Sequence, residues 1–173
     1  MSLNITIRPE TDDDTAAIHD ITVAAFADLE ISNHTEQFIV EALRLAHALT
    51  VSLVAEVDGR LVGHIAFSPI TLSDGTKGWY GLGPVSVAPD CQRQGIGTAL
   101  IEEGLSRLKK LGAHGCCLVG HPEYYPRFGF RNRPELTLDG VPPYAFFALS
   151  YDSTYPTATV TFHEAFAADI SPK

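Results

Sequence analysis

Gln92-Arg93-Gln94-Gly95-Ile96-Gly97 is the segment whose residue types and spacing most directly suggest chemistry. An apolar stretch ends near Val87, a proline turn follows, and the glycine-bearing segment runs straight into helical periodicity. A helix that starts there leaves its first backbone N–H groups without partners and aims the positive end of its dipole at the same point. Such an end attracts anions, phosphate in particular. Gly95 and Gly97 carry no side chain to hold a phosphate away from the backbone. Arg93 adds a formal charge, and charge-assisted hydrogen bonds are worth roughly 1.5–3 kcal/mol each. The dipole contributes about 0.3–1 kcal/mol, so directed amides from Gln92 to Thr98, together with Arg93, must carry most of the affinity.

Two other phosphate-binding loops are excluded. A P-loop closes on Gly-Lys-Ser/Thr, and no such triplet follows Gly97. A dinucleotide fingerprint requires a third glycine where this chain has Leu100, and it belongs after a first strand rather than in mid-chain.

The surrounding elements must hold that loop. Leu3 to Arg8 alternates apolar and polar residues and predicts a first strand. Thr11 followed by Asp12, Asp13 and Asp14 predicts a capped helix reaching about Ala27, with Ile18, Ile21 and Ala25 at helical spacing. A second helix is expected after Ser32-Asn33-His34-Thr35, with Phe38, Ala42, Leu45 and Leu49 on one stripe and Ile39, Leu43 and Ala46 beside it. Val51–Val57 and Leu61–Ile70 predict a hairpin about Asp58-Gly59, and Asp74-Gly75 a further turn. In the strand that ends at Val87, Gly81, Gly83 and Pro84 predict a bulge that frees backbone groups. The next helix should bury Leu100, Ile101, Leu105, Leu108 and Leu111 and stop at Gly112. Cys116 to Val119 then reads as a strand parallel to the one before the helix. Val141-Pro142-Pro143 interrupts the chain, Tyr144 to Tyr151 follows it, and Ala158 to Phe162 is a last β-like segment.

Composition narrows the class. The 173 residues, 45% hydrophobic and 19% charged, suit one α/β domain spanning 1–173. No apolar run nears the roughly 20 residues of a membrane span, and the N-terminus lacks the pattern of a signal peptide. Cys91, Cys116 and Cys117 are an odd number without metal-ligand spacing, so neither a disulfide framework nor a metal site is expected, and a cytoplasmic location fits. The net charge of −9 argues against nucleic-acid binding. The charge is uneven, however: Arg93 to Arg133 holds seven basic and three acidic residues, whereas the first sixty residues hold eleven acids and only Arg8, Arg44 and Arg60. A positive field around the loop suits a ligand with several phosphates.

The Q/R-x-x-G-x-G/A pattern at Gln92–Gly97 resembles the acetyl-CoA-binding motif of the GNAT acetyltransferase superfamily. Tyr124-Tyr125-Pro126-Arg127-Phe128-Gly129-Phe130 resembles its tyrosine-to-Gly-Phe signature. With Gly63-His64, Ser68-Pro69 and Leu82-Gly83-Pro84-Val85, the chain looks similar to the YhbS-like N-acetyltransferases. It departs from the pattern at Gly120-His121-Pro122, where the family often has Gly-Asp-Pro. The resemblance implies a central mixed, mostly antiparallel twisted sheet with a splayed parallel strand pair and flanking helices. It also implies coenzyme A as the bound molecule, with its diphosphate on Gln92, Arg93, Gln94, Gly95, Ile96, Gly97 and Thr98. The pantetheine arm would lie on the backbone of Val85 and Val87, with Ser86 between them. No metal is implied; the acceptor would be a small-molecule or peptide amine, and a homodimer is compatible.

Tyr125 stands where the family's general acid usually lies. Acetyl transfer to an amine expels a thiolate, and a phenol with a reference pKa near 10 still holds a proton to give at neutral pH. Tyr124 is the alternative donor. For the base, His64, His121, Glu36 and Glu30 all remain open. The acidic N-terminal third would favour a cationic acceptor. The alternative to catalysis is a module that binds acyl-CoA without transferring its acyl group.

Overall fold

A computed structural model describes residues 4–29 and 34–167. The first strand, β1, is Ile5–Pro9, and a short 3-10 turn at Asp12–Asp14 leads into helix α1, Thr15–Phe26. Thr11 caps that turn as expected, with Asp14 reaching back to the Thr11 N–H at 2.7 Å. Helix α2 is Glu36–Leu45; the proposed capping residues Ser32 and Asn33 lie outside the described residues.

The apolar stripe of α2 is rotated from the expected one. Ile39, Val40 and Leu43 are buried, whereas Leu45 is 83% exposed. The helix stops at Leu45 and His47 turns to a φ of 55°, so Leu49 is outside it and cannot continue a stripe.

Strands β2 (Val51–Val57) and β3 (Arg60–Pro69) form the predicted hairpin. Asp58 and Gly59 both take positive φ, 52° and 79°, the backbone that a tight two-residue hairpin turn demands. Two-residue β4 (Thr71–Leu72) precedes β5 (Trp79–Val87), then α3 (Ile96–Lys110) and β6 (Gly115–Val119). Beyond them lie β7 (Leu136–Thr137), β8 (Phe146–Ser150) and β9 (Ala158–Thr161).

The main sheet runs β1-β2-β3-β5-β6-β8, and within it β5 and β6 are the parallel pair. β4, β9 and β7 make a second, three-stranded sheet that short-range periodicity did not announce. Alternation along β3 sends neighbours to opposite faces. A Cβ on Gly63 would meet Leu100 and Ile96 of α3, while one residue on, His64 lies in register with Ser86, whose hydroxyl reaches Thr22 of α1. Helices α1 and α3 therefore cover opposite faces.

The core under α3 includes Leu53, Ile65, Phe67, Ile96, Leu100 and Leu108. Leu111, expected to join them, is 62% exposed because it is the C-cap, one residue past the buried face. Gly104 marks how closely α3 sits on the sheet, since a Cβ there would lie 2.3 Å from the Phe67 ring. Gly104→Ala should overpack this contact and lower stability by about 1–3 kcal/mol, read as a fall in thermal midpoint.

Candidate active site

The bulge foreseen at Gly83 and Pro84 is where the site opens. Ile65 pairs with Val85 and Phe67 with Leu82, so the single residue Ala66 opposes the two residues Gly83 and Pro84. On its other side β5 pairs with β6 only from Trp79 to Gly81. Past Gly81 the parallel strands diverge. The Ala88 N–H donates to Val62 O at 2.8 Å, so by antiparallel alternation the peptide groups of Val85 and Val87 face the opened edge. Ser86 does not belong with them. Its side chain is 1% exposed and bonded toward Thr22 at 3.4 Å, so it is a core residue between α1 and the sheet.

The glycine loop then turns into α3. Gly95 is the N-cap with a φ of 87°, a left-handed backbone that strains any residue with a side chain. The Ala99 N–H donates to Gly95 O at 3.0 Å as the first bond of the helix. The amides of Ile96, Gly97 and Thr98 are consequently the unpaired donors of its first turn. Ile96 contributes only through its backbone, because its side chain is 1% exposed and packs in the core. Gln92 braces the loop by donating from Nε2 to Val87 O at 3.2 Å. Gln94 is exposed, and Arg93 is exposed with a φ of 64° and joins no ion pair among the described residues.

The tyrosine segment packs against this loop. The Tyr124 and Thr98 hydroxyls are hydrogen-bonded at 2.9 Å, and the Arg127 guanidinium lies 4.3 Å from the centre of the Tyr124 ring. The Tyr125 ring meets Tyr124 edge-on at 5.0 Å and also contacts Phe128, Phe130 and Phe147. A Cβ at Gly120 would come within 2.2 Å of the Tyr125 ring, so this glycine makes room for the phenol. Burial first, and Tyr124 second, push the Tyr125 phenol up to about 12.

Tyr125 borders a cavity of about 460 Å³ at the divergence, together with Leu82, Gly83, Pro84 and Val85 of β5 and Val119 at the end of β6. Its opposite wall holds Phe26, Glu36 and Ile39 from α1 and α2, and Leu138, Val141, Phe162 and Phe166 from the C-terminal part. Sequence reasoning missed this apolar wall. Its members lie far apart in the chain, and the β-like segment expected at Ala158 to Phe162 gave no sign that Phe162 would pack against β5.

Of the expected base candidates, Glu36 lines the cavity. Glu30 lies outside the described residues. His121 is exposed and begins the turn before Tyr125. His64 is overturned as a candidate: it is fully buried in a polar chain away from the cavity lining. Ser52 donates to Glu10, so it must accept from His64 Nε2–H at 2.8 Å, while Arg44 donates to Glu10 at 2.9 Å. His64 Nδ1 has no partner, as suits a neutral ring.

Burial drives the His64 pKa below its ordinary 6.5. The unfolded chain therefore takes up a proton below about pH 6.5 that the folded chain refuses, and stability falls on acidification by up to about 1.4 kcal/mol per pH unit. Glu10 titrates in a separate window. Burial opposes its ionisation most strongly, yet bonds from His64, Arg44 and Ser52 together hold it at about 2, against an ordinary 4.5. Its stabilisation is present above about pH 4.5 and is lost as pH falls toward 2. His64→Gln should flatten the thermal midpoint between pH 6.5 and 5, while the more acid limb persists, moved toward higher pH to the extent that His64 helps hold Glu10 ionised.

A glycine-capped helix start, a splayed parallel strand pair and a half-buried phenol beside them are the frame of an acetyltransferase-type fold. The chain belongs to the Acetyltransferase (GNAT) family, whose profile matches residues 15–130. An uncharacterized N-acetyltransferase, YhbS of Escherichia coli K12, is 36% identical over 96 residues, which are 55% of this chain and 58% of that protein. The match thus spans little more than half the length of that curated relative. Among solved structures, a GNAT family acetyltransferase from Brucella melitensis in complex with acetyl-CoA is 47% identical with a TM-score of 0.85, covering 94% of this chain and 98% of that one. YhbS from Escherichia coli in complex with CoA is 30% identical with a TM-score of 0.87, covering 97% and 94%. Among the described residues no helix is long and apolar enough to cross a membrane, and no group of three or more His, Cys, Asp or Glu could hold a metal ion.

Proposed function

We propose that residues 1–173 act as one cytoplasmic N-acetyltransferase domain that moves the acetyl group of acetyl-CoA to a primary amine. The observation that carries this reading is the adjacency of three features at the end of β5, where a Cβ on Gly97 would lie 3.7 Å from Val87 and 3.8 Å from the Tyr124 hydroxyl. They are the unpaired amides of Ile96, Gly97 and Thr98, the opened edge at Val85 and Val87, and the Tyr125 phenol. The diphosphate would rest on residues 92–98, with charge from Arg93, and the pantetheine would take strand-like hydrogen bonds from Val85 and Val87. Both solved relatives named above hold CoA or its acetyl form, which supports the assignment.

In this reading the bound ammonium first loses one proton, and Glu36, the carboxylate among the described residues of the cavity wall, would accept it. The amine nitrogen then forms a bond to the acetyl carbon, and the carbon–sulfur bond breaks. Tyr125 gives its proton to the leaving sulfur and is reprotonated at the expense of the second nitrogen proton, so the products are an amide and free CoA thiol. Direct attack is favoured over a cysteinyl intermediate. Burial raises the thiols of Cys116 and Cys117, and burial and Asp90 raise that of Cys91, so none is poised as a thiolate.

The test is release of CoA thiol from acetyl-CoA across a panel of primary amines, with calorimetry of CoA binding in parallel. Amine-dependent release supports the reading. Binding without release from any amine assigns a non-catalytic acyl-CoA module instead, and absence of both removes CoA from the account.

A further inference from the structure

The cavity that Tyr125 borders has a chemistry of its own. Its acceptor side is built by Phe26, Ile39, Leu138, Val141, Phe162 and Phe166, and among the described residues the carboxylate on its lining is that of Glu36. Phe162 and Phe166 stack with centres 5.2 Å apart, and Phe162 lies so close to β5 that a Cβ on Gly81 would be 2.6 Å from its ring. The aromatic wall is thus fixed to the strand at the point where the sheet splays. About 460 Å³ falls within the roughly 300–1,000 Å³ usual for small-molecule pockets.

Resting on the transferase reading above, we propose that the acceptor is a primary amine carried on an apolar body, an alkylamine or arylalkylamine, rather than a polyamine, an aminoglycoside or a basic peptide. A single ammonium entering this space leaves water and meets the Glu36 carboxylate. A second or third ammonium would be desolvated against phenylalanine, leucine and valine, and among the described residues the lining holds no further carboxylate, which makes its entry strongly unfavourable. An apolar tail gains what a charged one loses. Each methylene moved from water to the wall improves binding about fourfold. This narrows the expectation from the acidic N-terminal third, which was of a cationic acceptor. Of its described carboxylates, Glu36 lines the cavity, whereas Asp12, Asp13, Asp14 and Glu41 do not.

Leu138 and Val141 also line a second apolar cavity of about 300 Å³, on the far side of the turn they bracket. They are therefore the partition that sets how long a tail can be. Val141 is only partly buried and lies in a loop, so it accepts substitution without entering the sheet.

The experiment uses the full chain and acetyl-CoA, with thiol release measured for propylamine, butylamine, pentylamine, hexylamine, phenethylamine, spermidine and kanamycin. Expected is a two- to fourfold rise in kcat/KM per methylene along the alkyl series, phenethylamine near its top, and spermidine and kanamycin below propylamine. Val141→Asp should cut kcat/KM for hexylamine at least tenfold and raise that for spermidine, with CoA affinity by calorimetry unchanged. A flat alkyl series, or spermidine as the best acceptor, overturns the proposal while leaving the transferase reading intact. Rates that ignore the amine but climb from acetyl- to hexanoyl-CoA overturn it by assigning the cavity to the acyl chain. CoA binding with no turnover of any amine overturns both.

Discussion

Tyr125→Phe is expected to lower kcat by about 10²–10⁴-fold while leaving CoA affinity within about twofold of the parent. The substitution removes one oxygen and keeps the ring that packs on Tyr124, Phe128, Phe130 and Phe147, so the fold and the cavity should persist. The phenol is pushed up to about 12 by burial, which makes it a weak acid but an abundant one, protonated throughout the working range. Its match to the leaving group depends on the same desolvation. A thiol in water ionises near 8.5, yet burial carries Cys117 in this protein up to about 12. A thiolate expelled into the closed cleft beside Tyr125 meets similar dehydration and gains basicity, which narrows the gap to the phenol. Steady-state rates from pH 6 to 10 should therefore show no alkaline fall in the parent that Tyr125→Phe abolishes. A variant retaining more than a third of parental kcat on the best amine would remove Tyr125 as the acid. Residual activity is expected all the same, because holding amine and thioester together supplies much of the rate.

What could be read in advance follows from where the physics is local. Gly95 at a helix start and the Gly83-Pro84 break in β5 act on their own neighbours, and both do in the structure what their residue types require. The hairpin at Asp58-Gly59 was legible for the same reason. Leu45 and Leu111 misled because periodicity marks apolar positions but not where a helix ends, and each lies at or just past the end of its helix. His64 looked like a base because a histidine in a strand is chemically able to be one. Only its burial and the chain through Ser52 to Glu10 and Arg44 give it a structural role. The apolar wall was invisible because it joins α1, α2 and two separate stretches after residue 137, contacts that no window along the chain contains. The glycine loop was therefore a local problem, and the apolar wall of the cavity a global one.

Arg93→Ala is expected to weaken CoA binding by about 10- to 100-fold, the equivalent of one charge-assisted contact to the diphosphate, with kcat at saturating acetyl-CoA little changed. The position is informative because two properties meet there. Arg93 carries a charge that no acidic partner neutralises among the described residues, and it holds a φ of 64° that glycine would adopt more readily. Arg93→Gly removes the charge and relaxes the backbone, whereas Arg93→Ala removes the charge and keeps the strain. If charge governs affinity, both variants should bind CoA equally poorly, and both should show a shallower dependence of affinity on salt than the parent. If loop geometry governs it, Arg93→Gly should bind as well as the parent. Calorimetry at two salt concentrations separates these outcomes, and parental affinity in both variants would shift the assignment to the amides of residues 96–98 alone. Because Arg93 acts on binding and Tyr125 on chemistry, their effects should multiply in the double variant. A departure from that product would measure coupling through the Thr98–Tyr124 hydrogen bond, 2.9 Å long, that joins the loop to the tyrosine turn.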